Sequence, residues 1–240
     1  MNMKNRTALT VVLSAMLLVA SACGTKPENA AQNQGSTNTQ TETSASGGTN
    51  SENDADGEAG TSKQWSEKPK MAIDTSKSYS AVFKTNKGDF TVELYAKDRP
   101  ETVNNFVFLS KEKFYDGVKF HRIIQSFMIQ GGDPTGTGGG GPGYTIPDEL
   151  DSKYKYEEGV LAMAKTSAPN SGGSQFFICS GADAAGLNNT PDYTIFGKVT
   201  AGMDVVKAIA ATPVEMDASG REASVPTEDV VINTIAIEEK

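Results

Sequence analysis

The stretch Phe120 to Asp133, FHRIIQSFMIQGGD, sets one arginine, Arg122, and one glutamine, Gln130, in two short β-like apolar runs, Phe120–Ile124 and Phe127–Gln130. Arginine is seldom fully buried without a partner. Two readings follow: a solvated arginine on an exposed sheet face, or a fixed positive charge in an apolar recess. Other candidate chemistry is thinner. His121 is the only histidine and has no cysteines near it, which argues against a metal site and for a structural hydrogen bond. As the base of a Ser–His–Asp hydrolase it would lack its nucleophile, because no serine sits in a G-x-S-x-G elbow. Gly136, Gly138 and Gly141 form a G-x-G-x-x-G, but Pro142, Gly143 and Tyr144-Thr145-Ile146-Pro147 follow where a nucleotide site needs a helix. A surface loop, mobile or tightly turned, fits that run better.

The elements that would carry these residues are mostly β. Ala81–Lys84 and Phe90–Tyr95 flank Asn86-Lys87-Gly88-Asp89 and predict a hairpin. Pro100 and Glu101 suit the first turn of a helix in which Val103, Phe106 and Val107 share a face. Strands are expected at Val160–Ala164, Ser174–Cys179, Thr194–Val199 and Val230–Ile237, and a second short helix at Met203–Ala211. Many short strands with few helices indicate a closed barrel or a sandwich.

Ahead of this domain the chain reads differently. Lys4 and Arg6 precede the apolar run Ala8–Ala20, a secretory signal peptide too short to span as a mature transmembrane helix. Its end, Ala20-Ser21-Ala22-Cys23-Gly24, resembles the bacterial lipobox, which implies cleavage after residue 22 and acylation of Cys23; the alternative is a soluble secreted protein cut near Ala22 with an idle thiol. Residues 23–76 are polar, with Trp65 as their sole aromatic, and are expected to form a disordered tether. Trp65 with Lys63, Lys68 and Lys70 is read as a solvated linker end or, alternatively, a docking patch. Residues 77–240 then make one domain of roughly 160 residues, enough for a single core.

Charge and cysteine content narrow the partners. The chain is formally −8, and loss of residues 1–22 removes Lys4 and Arg6 but no acid, leaving −10. Such a surface disfavours nucleic acid and anionic lipid. Cys23 and Cys179 are the only cysteines, so a lipidated Cys23 leaves no disulfide, and Cys179 within Phe176-Phe177-Ile178-Cys179 reads as a small buried hydrophobe.

FHRIIQSFMIQGGD is joined by Leu161-Ala162-Met163-Ala164, by Pro169-Asn170-Ser171-Gly172-Gly173-Ser174-Gln175-Phe176-Phe177-Ile178, and by Leu187 with Tyr193-Thr194-Ile195-Phe196-Gly197-Lys198-Val199. Together these closely resemble the cyclophilins, the peptidyl-prolyl cis–trans isomerases, in their bacterial form, over about Tyr79–Ile237. The resemblance implies a mainly β fold, a closed eight-stranded antiparallel β-barrel capped by two α-helices, with the substrate groove on its outer face. It implies Arg122 as the catalytic arginine and Gln130 as the residue that positions it. The proline pocket falls on Phe127, Met128, Phe177 and Leu187, with Tyr193 beside the proline ring, and Ala164, Lys165, Thr166 and Gln175 line the neighbouring groove. No cofactor or metal is implied. The expected partners are proline-containing polypeptides, with the protein a monomer held at the outer side of a bacterial cell membrane by its lipid. A proline-peptide binding or chaperone module without turnover is the alternative use of the same groove. A lipid-anchored solute-binding protein is disfavoured by the lack of length for two lobes. Gly186 stands where some cyclophilins have tryptophan, and the Lys165–Pro169 loop is longer than usual, which bears on the residue preferred before proline.

Overall fold

Period-two alternation of large apolar residues builds an antiparallel sheet in a computed structural model that describes residues 63–151 and 153–240. The signal peptide, Cys23 and the tether up to residue 62 lie outside the described residues. β1 (Tyr79–Thr85) and β2 (Gly88–Leu94) form the expected hairpin. Then come α1 (Pro100–Lys111), β3 (Arg122–Ile124), β4 (Met128–Gly131), β5 (Val160–Met163), β6 (Phe176–Cys179), a 3₁₀ helix (Ala182–Asn189) and β7 (Ile195–Ala201). α2 (Met203–Ala210), a ribbon of β8 (Val214–Met216) and β9 (Ala223–Pro226), and β10 (Ile232–Glu239) complete the chain. The 3₁₀ helix and the ribbon were not expected from the sequence. Their apolar runs are too short to carry a period.

The main sheet has eight strands in the order β10-β1-β2-β7-β5-β6-β4-β3. Closure into a barrel by a regular ladder, as expected, is not found among the described residues: β3 and β10 are edges, not partners. The sheet is curled and open, and the gap is bridged by an irregular segment. Gly117 and Phe120 donate backbone N–H to the carbonyls of Ile232 and Val230, and Ile232 donates to Val118 (2.8, 2.9 and 2.8 Å). The two expected helices are present.

The pleat sends alternate residues of each strand to opposite faces, and in β4, β5 and β6 both faces are apolar. Ile129 of β4, Leu161 and Met163 of β5, and Phe176 and Ile178 of β6 join the main core with Phe83, Phe90, Phe106 and Phe196. Their neighbours Met128, Val160, Ala162, Phe177 and Cys179 point the other way, into a second cluster with Tyr156, Ala184 and Ile195.

The segment 63–76, assigned to the tether by its composition, instead lies as an ordered strap on the domain. Trp65 packs edge-on to Phe108, with centroids 5.2 Å apart, and against Phe114 at 5.9 Å. Asn104 of α1 then acts as a substitute strand: its Oδ1 accepts N–H from Ala72 and Ile73, and its Nδ2 donates to the Lys70 carbonyl. One tryptophan among polar residues carries no periodic signal, so composition alone misassigned it. Among the described residues no helix is long and apolar enough to cross a membrane.

Candidate active site

Strand register assembles the site. Arg122 of β3 pairs with Gln130 of β4, Gln130 with Phe177 of β6, and Phe177 with Ala162 of β5, so these four form one row across the sheet. The tight passage out of β4 depends on Gly132, at φ +88°, where a Cβ would lie 2.4 Å from the Ser174 carbonyl oxygen. No side chain fits there.

Arg122 is about one-third exposed and held on three sides. Nε and Nη2 donate to the two carboxylate oxygens of Glu222 at 2.7 and 2.9 Å. Nη1 points to Gln130 Oε1 at 3.4 Å and to Met128 Sδ at 3.8 Å. Gln130 in turn donates to Gln175 Oε1 (3.1 Å), and Gln175 donates to the carbonyls of Gly138 and Gly140 (3.0 and 2.9 Å). Arg122 is therefore a held cation lying against Met128 of the second apolar cluster. Glu222 was not anticipated: it comes from the ribbon, a hundred residues away. The Arg122 guanidinium holds its carboxyl below the ordinary glutamate range, burial opposing.

The residues assigned to the proline pocket stand together: Met128 and Phe177 are buried in the second apolar cluster, and Phe127, Leu187 and Tyr193 pack against it, partly exposed. Phe177 and Tyr193 meet edge to face, 5.3 Å between centroids at 90°. The walls are fixed by Tyr156, which the sequence did not single out. Its hydroxyl donates to the Tyr193 carbonyl and accepts the Tyr193 N–H, while its own backbone is clasped by the Asn188 amide at the end of the 3₁₀ helix that bears Leu187.

Beside the recess lies a cleft of about 570 Å³ lined by Gln130, Ala164, Lys165, Thr166 and Gln175, with one wall made by Gly138–Thr145 and Gln64. The four assigned groove residues therefore stand together. Lys165, however, turns its ammonium away. Its side chain is nearly buried and pairs with Asp148 at 2.9 Å and Asp192 at 3.0 Å, so its charge fastens loops.

The glycine-rich wall is wound around one buried carboxylate. Asp133 accepts N–H from Thr135, Thr137, Gly138 and Gly140 and the Thr135 hydroxyl, between 2.6 and 3.1 Å. The turned loop, not the mobile one, is what forms. His121 does not make the expected hydrogen bond: Nδ1 is buried without a partner. Burial pushes its pKa down and Arg122 adds to that, against the pull of Asp133.

A held guanidinium, an apolar cluster beside it and an adjoining cleft thus lie together on a curled antiparallel sheet. Residues 80–237 match the model of the cyclophilin type peptidyl-prolyl cis-trans isomerase family. Peptidyl-prolyl cis-trans isomerase B of Streptomyces anulatus is 41% identical over 175 residues, 66% of this chain and 95% of its own. A Helicobacter pylori peptidyl-prolyl cis-trans isomerase is 44% identical over 139 residues, covering 57% and 83%. The crystal structure of a Cryptosporidium parvum cyclophilin type isomerase in the presence of the dipeptide Ala-Pro superposes with a TM-score of 0.60 at 36% identity, covering 67% of this chain and 99% of that one. The chain belongs to the cyclophilin-type peptidyl-prolyl cis–trans isomerase family.

Proposed function

We propose that this chain accelerates cis–trans isomerisation of Xaa–Pro bonds in exported polypeptides, with Arg122 stabilising the twisted imide. The carrying observation is the guanidinium fixed beside the recess of Phe127, Met128, Phe177, Leu187 and Tyr193, its Nη1 edge facing Gln130.

The reaction asks for little more. The planar amide resists rotation by about 18–20 kcal/mol because twisting destroys its resonance. As it twists, the proline nitrogen regains a lone pair and accepts a hydrogen bond that the planar ground state cannot. A guanidinium waiting at that point binds the transition state more tightly than the substrate. The apolar pocket grips the pyrrolidine ring while the preceding carbonyl swings, and Gln130 marks the position of the Arg122 Nη1 edge. A combined stabilisation of about 7 kcal/mol corresponds to roughly a 10⁵-fold acceleration. Gln175, Ala164 and Thr166 receive the residues before the proline, in the cleft.

The test follows relaxation of an Xaa–Pro peptide with the full chain and with Arg122→Ala. Loss of at least ~10²-fold in kcat/KM is expected, as for removal of a transition-state donor. If the two proteins relax the peptide alike, the groove is a proline-peptide binding or chaperone site without turnover.

The N-terminal sequence supports a location for this activity. Residues 1–22 act as a lipoprotein signal, Cys23 carries the lipid, and the protein works as a monomer on the outer face of a bacterial cell membrane. The polar chain after Cys23 serves as the tether, in reach of polypeptides emerging from export. Several acyl chains on one residue give stable anchoring. Intact-mass measurement of the mature protein decides this: a mass beginning at Ala20 to Gly24 without acyl groups would refute it.

A further inference from the structure

The ion pair between Glu222 and Arg122 is side-on: the carboxylate occupies Nε and one face of Nη2 and leaves Nη1 directed to Gln130 and Met128. Glu222 is the residue before β9, and it is carried on a ribbon with a self-capped bend. Asp217 accepts N–H from Arg221 at 3.0 Å and the Ser219 hydroxyl at 2.8 and 2.9 Å, Gly220 takes φ +67°, and the Glu222 carbonyl accepts the Asp217 N–H at 2.8 Å. β9 packs beside β3, the strand of Arg122.

Such a pair does one thing that Gln130 cannot. Gln130 meets a single nitrogen at 3.4 Å, which leaves the guanidinium free to rotate about that contact. A bidentate carboxylate fixes the plane of the guanidinium as well as its position. We propose that Glu222 is a positioning residue for isomerisation, orienting the plane of Arg122 so that its Nη1 edge faces the substrate, a role that rests on the arginine mechanism above. Side-on pairing consumes two of the five N–H donors, and of the other three those of Nη1 make only the long contacts to Gln130 and Met128, at 3.4 and 3.8 Å, that a substrate nitrogen can displace.

The consequence is a coupling that a merely structural acid would not show. In the full chain, Glu222→Gln and Glu222→Ala should each lower kcat/KM for an Xaa–Pro peptide roughly tenfold, chiefly in kcat, as expected when a catalytic group is left misaligned. In an Arg122→Lys background, which keeps the charge but has no fork to grip, the same Glu222 changes should cost less than about twofold. Glu222→Gln preserves size, so a folding defect limited to Glu222→Ala leaves the comparison intact. Equal losses in both backgrounds, or Glu222 variants as active as the parent beside an impaired Arg122→Lys, overturn the role of Glu222 alone. Full activity in Arg122→Lys overturns the arginine mechanism and this role with it.

Discussion

Asp133 shows how much of this site rests on single polar atoms. It is fully buried, and its two oxygens collect the N–H groups that would otherwise be orphaned in a loop of glycines. Burial alone would raise its pKa, but hydrogen bonds from Thr135, Gly140 and Gly138 outweigh that and hold the carboxyl below the ordinary range. Because folding lowers this pKa, the stabilisation is complete above the unfolded value near ~4 and disappears as pH falls through the lower folded value. Asp133→Asn cannot accept on both sides, so it should cost about 1–3 kcal/mol at pH 7, with the gap to wild type narrowing below pH ~4. Denaturant titration at several pH values checks this, and a gap independent of pH would refute it. Residue roles of this kind were unevenly legible. Arg122 and Gln130 are eight positions apart in one hairpin, and their meeting was implied by the family resemblance of that stretch. Glu222 and Tyr156 reach the site through long-range register, which no local pattern encodes. For Lys165 only its place was readable, because its pairing depends on Asp148 and Asp192 from two separate loops.

At the level of elements, strands and helices followed from period and end signals, whereas the strap did not. Local composition decides whether a segment can fold alone, but 63–76 borrows its order from α1 and the glycine loop. Trp65 donates its N–H to the Pro142 carbonyl at 2.9 Å, Gln64 donates to Gly141 at 2.9 Å, and Gly143, at φ +91°, is the only residue type that lets the strap so close. Trp65→Ala should destabilise the domain by about 2 kcal/mol, less than for a fully buried ring. Chemical denaturation measures this, and an unchanged midpoint would show the strap to be an idle contact. As the chain has one tryptophan, its native fluorescence also reports directly on strap docking. The Gly-rich stretch that resembled a nucleotide loop thus serves as a wall held from below by Asp133 and from outside by the strap.

Among the described residues the eight-stranded sheet is apolar on both faces at β4, β5 and β6, and that doubling accounts for what the sequence made plain. Strands buried on both sides read as unbroken apolar runs, as in Phe176-Phe177-Ile178-Cys179, so the fold class was visible; the open edge between β3 and β10 was not, because irregular backbone bridges it. Cys179 sits under the groove at full burial, and burial pushes its thiol up to about 12. A thiol reagent should therefore label it only through global opening, orders of magnitude more slowly than a free thiol, with a denaturant dependence matching equilibrium unfolding; rapid labelling in native buffer would contradict the placement. The strap gives the molecule a mechanical polarity. Traction on the chain at Lys63 meets the Lys63 contact with Glu112 first, then the bonds to Gly141 and Pro142 and the Trp65 ring, then the Lys68–Glu101 pair and the Asn104 clasp, and reaches β1 only at Tyr79. The cleft wall, bonded to the strap, takes up tension ahead of the sheet, so a pull on the strap would change the width of the cleft before it threatened the fold.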